Sequence, residues 1–487
     1  MSSTPPNLPL LWRQYKPVII SLFLASGAYL FLRLINLTLL PIFADEAIYI
    51  RWAQVMRAEA TLRFLPLSDG KQPLFMWLII PFLKLISDPL LAGRLVSVCS
   101  GLGPMLGIFF LTLHVTKSQK IALLSSILSC IVPYIFFFDR LALADSLLTM
   151  CAVWAIYFAL RLAHTPQLDL SLLTGGTIGA AWLTKSPAVF LLGLLPITGI
   201  TFIPQIKSSP SQSTAVRRTT HHPEKQFTLL TPIRWHYTQL IFYWLISGTI
   251  TFAIYNILRL GPEFHQIAIR NRDYIYPISE ILSHPLQPFL VNFPNTLCFL
   301  WSLLTPPIIL TALLGVSRLW ANDRKTTIFL LTWILVPLLG QSVIARSVTA
   351  RYFLFAIPPL LVFAAQGIFW LISLSKNNYW KLIITIIIFI LPLRFDFLLL
   401  TRPELAPLPR IERAGYLEEW TAGTGLRDIA QYLQNQAASH SIVVGTEGFF
   451  GTMPDGLQIY FDKQPKVTII GHQYEVSAIS QDRKSVV

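Results

Sequence analysis

Long apolar runs alternate with short polar breaks along nearly all of the first 400 residues. The runs lie at about 17–37, 92–115, 119–138, 141–162, 171–184, 187–204, 238–258, 293–316, 326–345, 352–374 and 381–400. A helix needs roughly 20 apolar residues to cross the hydrocarbon core of a bilayer. The pattern therefore predicts about eleven transmembrane helices, several of them short. Residues 73–86 are apolar too, but about fourteen residues do not reach across. That stretch is expected to be re-entrant or interfacial. Residues 45–57 have a different period. Ile48, Trp52, Val55 and Met56 share one helical side, while Asp45, Arg51, Gln54 and Arg57 point elsewhere. This predicts an amphipathic helix on the membrane face. Past residue 400 the apolar runs stop. Residues 427–433 are amphipathic, 441–446 and 467–470 read as strands, and Gly445, Gly448, Gly451 and Gly456 punctuate turns. The expected fold class is an all-α polytopic membrane protein with juxtamembrane helices over 1–400 and a small α/β domain at 401–487.

Composition narrows the class. The chain is 54% hydrophobic and 13% charged, with a mean hydropathy of +0.58, which excludes an ordinary soluble protein. Thirteen Trp and 32 Phe suit lipid-facing and interfacial positions. Lys and Arg exceed Asp and Glu by 14. No basic stripe interleaves with aromatics, so nucleic acid is not an expected partner; the positive-inside rule accounts for the excess. Cys99, Cys130, Cys151 and Cys298 all lie in apolar stretches, without the spacing of a metal cluster or disulfide scaffold.

The same rule orients the chain. With Arg13 and Lys16 inside, eleven crossings place Lys117/Lys120, the 205–237 loop, Arg318/Arg324/Lys325 and Lys376/Lys381 inside as well. This holds only if 73–86 does not cross. The first apolar run lacks a cleavage site and reads as a retained helix. The expected localisation is a multi-pass cell-membrane protein with a cytoplasmic N-terminus and an extracytoplasmic C-terminus. His221-His222, in the inner loop, lacks the spacing or further ligand of a metal site.

The outward loops hold nearly all the unusual polar residues. Asp45-Glu46 follows the first membrane helix, where carboxylates at a lipid surface mark a site unless they serve a plain surface helix. Lys71 precedes a Pro-started apolar helix and suits a lipid phosphate or a snorkelling role. Asp145 lies one turn into apolar sequence and needs a partner, with Arg140 upstream as the candidate. Lys185 interrupts two short apolar runs. Residues 264–277 are rich in Arg and Tyr, including Arg270 and Arg272, and Arg351-Tyr352 follows the next long runs. Arg grips phosphate bidentately, and Tyr rings fit sugar faces or the membrane interface. Together these residues match a site for an anionic lipid head group beside a general base. A lipid-linked-sugar flippase or transporter would instead concentrate ionisable groups at mid-bilayer, in repeated halves. A non-catalytic subunit would share the fold without the carboxylate.

Six motifs occur in order: Asp45-Glu46-Ala47-x-Tyr49, Lys71-Gln72-Pro73-Leu74-x-x-Trp77-Leu78, Arg94-Leu95-x-Ser97, Arg140-x4-Asp145, Leu183-Thr184-Lys185-Ser186-Pro187, and Ala350-Arg351-Tyr352-x4-Ile357-Pro358-Pro359. Over residues 17–375 the chain resembles the GT-C fold glycosyltransferases of the protein O-mannosyltransferase and aminoarabinose (lipid A) transferase type. The resemblance implies a polyprenyl-phosphate monosaccharide as donor, Asp45 as catalytic carboxylate and Lys71 as phosphate contact. Glu46 and Asp145 are expected as further catalytic carboxylates beside Asp45. Tyr49, Arg140, Lys185, Arg270, Arg272, Arg351 and Tyr352 are expected to bind substrate. The acceptor would be a lipid, glycan or protein, with membrane lipids as surroundings. The family's frequent Lys-Pro-Pro is Lys71-Gln72-Pro73 here. Gly70 stands where the aminoarabinose enzymes carry a metal-binding Glu, so no cofactor is implied and a divalent metal is not indicated.

Overall fold

The computed structural model describes residues 8–202, 230–284 and 286–472. Lys207, Arg217, Arg218 and the pair His221-His222 lie outside the described residues. The helices run α1 Leu8–Leu34, α2 Ala44–Ala58, α3 Leu74–Leu85, α4 Pro89–Thr116, α5 Gln119–Ile131, α6 Pro133–Phe138, α7 Ala144–His164 and α8 Leu168–Thr184. Next come α9 Val189–Leu194, α10 Leu230–Tyr255, α11 Gln266–Tyr274, α12 Ile278–Ser283, α13 Leu286–Leu304 and α14 Pro306–Asn322. Then follow α15 Arg324–Ile344, α16 Pro358–Leu374, α17 Asn378–Thr401, α18 Arg410–Arg413, α19 Leu426–Gln436 and α20 Asp455–Phe461.

Among the described residues, 6 helices are long and apolar enough to span a membrane, or up to 8 when two bent pairs are each taken as one span. The protein is thus a multi-pass, mostly helical membrane protein. Prolines divide several of the apolar runs. The run 119–138 breaks at Val132, before Pro133, into α5 and α6. The run 293–316 is not one helix: α13 and α14 meet at 102°. Thr305 at that corner has φ +69°, which a β-branched residue rarely adopts, and Pro306 opens α14. The run 352–374 divides into a 3-10 turn, Ala350–Ala356, and α16, bent by 65° at Pro358. The twelve residues of α3 cover about 18 Å at the helical rise, well short of the bilayer core.

Packing reads back onto sequence at two glycines. A Cβ on Gly315 of α14 would land on the carbonyl of Phe363 in α16, and one on Gly367 would land on that of Thr311. These positions let the two backbones touch, as small residues do between membrane helices.

The tail does not stand apart from the helical body. Ala422–Gly423 (β2) pairs antiparallel with Ile42–Phe43 (β1), just before α2. Ile442–Glu447 (β3) and Val467–His472 (β4) form a parallel pair, and the chain passes through α20 between them. The α20 helix packs against α2. Gln54 donates to the Ile459 carbonyl at 2.8 Å, and Arg51 and Arg57 reach Asp462 at 3.1 and 2.6 Å. The face of α2 expected to meet water is therefore covered, and Gln54 is buried. Of the four tail glycines expected in turns, Gly448 and Gly451 have positive φ. Gly445 lies in β3 and Gly456 in α20, since each joins a regular backbone without strain.

Candidate active site

The first turn of α2 sets two carboxylates in different places. Successive helical residues are rotated by about 100°. Asp45 therefore turns toward a cavity of about 380 Å³ while Glu46 turns into the core. Both gain from the positive end of the helix dipole. The cavity is walled by the start of α2, the Asp69–Gln72 loop, the end of α8, α11 and the Ala350–Ala356 turn.

Two cations hold Asp45. Lys71 Nζ lies 3.3 Å from its Oδ1, and Arg351 Nη1 lies 2.6 Å from its Oδ2. Burial pushes the Asp45 carboxyl up, but Lys71 and Arg351 outweigh it and hold it well below the usual carboxylate range. Burial likewise works against the Lys71 ammonium, and Asp45 overcomes it, holding the lysine charged. The ammonium also faces the rings of Tyr49, Trp52 and Phe450 at 5.4, 5.7 and 6.0 Å, within cation–π range.

Lys185 on the cavity wall carries a second ion pair. Lys185 Nζ lies 2.6 Å from Asp145 Oδ1 and 4.8 Å from the Tyr352 ring centre. The partner expected for Asp145 was Arg140, and the structure corrects this. Arg140 donates to the carbonyls of Leu32, Arg33 and Asn36 at 3.1, 2.7 and 2.8 Å. It closes the C-terminal end of α1, where carbonyls lack helical partners, and it does not line the cavity.

Glu46 and Arg272 also stand elsewhere. Glu46 is fully buried and receives Arg94 through Nε at 2.9 Å and Nη2 at 2.8 Å. It further accepts the N–H groups of Phe43 at 2.9 Å and Ala142 at 2.5 Å. With four donors its oxygens have no capacity left for a substrate, so it fastens α2 to α4 and the loop before α7. Arg272 is exposed and outside the cavity wall. Arg270 does line it.

Asp69 is the group that the sequence reading passed over. It lies 3.2 Å from Lys71 Nζ, and it accepts Arg270 Nε at 2.8 Å. The signal was present: Asp69-Gly70 immediately precedes Lys71, and Gly70 has φ +67°. A Cβ at Gly70 would strike the Arg270 side chain and the Gln266 carbonyl. A ligand side chain in place of Gly70 would therefore displace α11. Gln72 was also missed; it donates to Ser186 Oγ at 2.8 Å and ties the α3 loop to the turn after Lys185.

The carboxylates of the cavity do not fit a divalent ion. Asp45 and Asp69 on its wall, and Asp145 paired with Lys185, each already face a lysine or arginine within 3.3 Å. No group of three or more His, Cys, Asp or Glu suited to a metal gathers among the described residues.

The sequence model of the dolichyl-phosphate-mannose-protein mannosyltransferase family matches residues 70–207. No curated protein matches the chain in sequence. The oligosaccharyltransferase of Archaeoglobus fulgidus superimposes with a TM-score of 0.54 at 12% identity, over 94% of this chain and 65% of that one. This chain thus spans just under two thirds of the archaeal protein. ArnT from Cupriavidus metallidurans bound to undecaprenyl phosphate gives a TM-score of 0.50 at 14% identity, over 92% and 75% of the two chains. The archaeal enzyme AglB in complex with an inhibitory peptide and a dolichol-phosphate gives 0.51 at 12% identity, covering 94% of this chain and 65% of that one. The fold expected from the six motifs is therefore the one observed: the chain shares the GT-C fold of these structures, and the family model matches it over residues 70–207.

Proposed function

We propose that this protein is an inverting glycosyltransferase that takes a monosaccharide from a polyprenyl-phosphate donor on the extracytoplasmic face of the membrane. One observation carries the reading: Asp45 shares a cavity with Lys71 and Arg351, each within hydrogen-bonding reach of a different carboxylate oxygen. Asp45 is the general base that takes the acceptor hydroxyl proton as that oxygen attacks the anomeric carbon. The bond from that carbon to the phosphate oxygen breaks, and polyprenyl phosphate leaves as the anion. Lys71 and Arg351 neutralise the charge developing on it. A phosphate leaves without a strong acid, so one carboxylate suffices, unlike the pair in a glycosidase.

The same two cations serve base and leaving group. In the ligand-free site they suppress the basicity of Asp45. A donor phosphate drawing on Lys71 and Arg351 loosens their hold, so donor binding raises the carboxylate toward a working base. Lys185, held by Asp145, lines the cavity with Tyr352 and shapes the sugar pocket. Arg270 steadies Lys71 through Asp69. Family and fold support the lipid-phosphate donor, since structural neighbours hold undecaprenyl phosphate and dolichol-phosphate. The acceptor is a lipid, glycan or protein.

The orientation proposed for this site puts the N-terminus in the cytoplasm and the tail, as a small domain at 401–487, outside. Convergence of the 39–72, 259–290 and 346–351 loops on one cavity supports it. A cysteine placed within 430–440 should react with an impermeant thiol reagent in intact cells, while one within 205–229 should not; the reverse pattern overturns the topology. The chemistry is tested with purified protein and a panel of polyprenyl-phosphate sugars. Release of polyprenyl phosphate coupled to a glycosylated product supports it. No transfer from any member of the panel in extracts containing native acceptors overturns it.

A further inference from the structure

Outside the cavity, the most unusual buried group is Glu412. It lies on α18, past the last long helix, and is 1% exposed. Its Oε1 accepts the N–H of Ala350 at 2.7 Å. The carbonyl of the same Ala350 accepts the Tyr134 hydroxyl, also at 2.7 Å. Both polar backbone atoms of Ala350 are thus tied by side chains from other elements. Ala350 opens the Ala350–Ala356 turn and immediately precedes Arg351. The first N–H groups of a helical turn have no partner within it, so this one needs an outside acceptor.

The aromatic surroundings continue the clamp. The Arg351 guanidinium lies 5.2 Å from the Phe43 ring centre and 5.5 Å from that of Tyr352. Phe43 packs on Tyr416 with ring centres 4.4 Å apart, and Tyr416 belongs to the same tail segment as Glu412. Phe43 itself pairs with Ala422 across the β1–β2 ladder. The segment 412–422 therefore touches the site from behind at three points.

A neutral amide would accept the Ala350 N–H at lower cost than a buried carboxylate. The use of an ionisable group needs a further reason, and Arg351 supplies one. Arg351 Nε and Glu412 Oε2 are both buried without a hydrogen-bond partner among the described residues, and the arginine charge reaches the carboxyl.

We propose that Glu412, acting with Tyr134, is a positioning residue that fixes Arg351 against Asp45 through the Ala350 peptide, so that the tail completes the active site. The inference rests on the reading of Arg351 as a phosphate cation given above. The groups facing Glu412 are Arg351 from the 350–356 turn, Tyr134 from α6, Tyr416 from its own segment and Asp145 from α7. Burial pushes the Glu412 carboxyl up, against the Ala350 N–H and the Arg351 charge, to about 7. It is neutral below that pH and ionised above it. Once ionised it draws on the Arg351 charge and leaves less for the departing phosphate.

The test measures transfer by the full-length protein in detergent, with Glu412→Ala, Glu412→Gln, Tyr134→Phe, Arg351→Ala and the double variant Arg351→Ala/Glu412→Ala. Glu412→Ala should lower kcat about tenfold, the effect of one lost buried hydrogen bond, and leave the acceptor KM unchanged. Tyr134→Phe should act in the same direction. Glu412→Gln keeps the shape and the bond to Ala350 but cannot ionise. Wild-type kcat should fall as pH rises through about 7, and the Glu412→Gln profile should lack that fall. In the absence of Arg351, Glu412→Ala should add no further loss. Additive losses in the double variant, or an unchanged pH profile in Glu412→Gln, overturn the role of Glu412 while Arg351 keeps its own. Wild-type transfer by Arg351→Ala overturns the phosphate role of Arg351, and this inference with it.

Discussion

Asp45 and Glu46 are neighbours in the first turn of α2 and live in opposite surroundings. Asp45 borders the cavity with 18% of its side chain exposed, and its two cations are themselves 20% and 11% exposed. Glu46 and Arg94 are both fully buried, and every oxygen of Glu46 is engaged. The difference separates two uses of charge. A desolvated pair with every lone pair occupied is a fixture, because breaking it strands a charge in a medium that cannot solvate it. A pair with one side open to a cavity can exchange partners with an incoming anion.

The contrast breaks first, and most visibly, through substitutions on each side. Asp45→Asn should reduce transfer roughly 10²–10⁴-fold with folded protein retained, because it removes a base and not a fixture. Arg94→Ala should cost about 3–5 kcal/mol of stability, seen as loss of monodisperse protein on size exclusion. A folded, active Arg94→Ala protein, or an unfolded Asp45→Asn protein, would erase the distinction.

A smaller effect sharpens the open side. Lys71→Ala should weaken binding of bare undecaprenyl phosphate by about 2–5 kcal/mol, as titration calorimetry in detergent would read. The loss should be the same for every donor sugar, since a phosphate contact cannot read the ring. A change confined to sugar selectivity would move Lys71 out of the phosphate clamp.

The pH dependence follows from the cations around Asp45. The carboxyl is held below its ordinary value of about 3.9, so its ionised form persists until the pH falls below that value. The kcat/KM profile should therefore show no acid limb centred above about pH 5. Such a limb would mean that Asp45 is not paired as the geometry has it.

The smallest expected effect concerns two arginines of α11. Arg270 touches Asp69 but is 42% exposed, so Arg270→Ala should cost only a few-fold in donor affinity. Arg272→Ala should change donor affinity by less than about twofold, the usual outcome for an exposed side chain without a structural role. Equal losses from both would place the phosphate farther along α11.

Much of the site was legible because its residues are misfits in apolar sequence. Asp45, Lys71, Asp145, Lys185 and Arg351 stand out as charges at the ends of hydrophobic runs; four of them line one cavity, and Asp145 pairs with one of those four, Lys185. Their pairing was not legible. Arg140 precedes Asp145 by five positions, yet it turns to α1, while Lys185 arrives from the far end of α8. Glu46 carries the same signal as Asp45, and only the rotation of α2 separates them. Asp69 and Glu412 do not stand out in the sequence, because a carboxylate in a polar stretch looks unremarkable until its neighbours are known.

The sequence by itself determined the membrane class, the short reach of α3, the change of character after residue 400 and the collection of charges in the loops between apolar runs. Those properties follow from apolar transfer and helical rise, which add up locally along the chain. The tertiary structure alone decided which charges face the cavity and which are sealed, the corner at Thr305, and the burial of α2 beneath the tail. Ion pairing and desolvation depend on separations of a few ångströms between groups far apart in sequence, and no local pattern carries those distances.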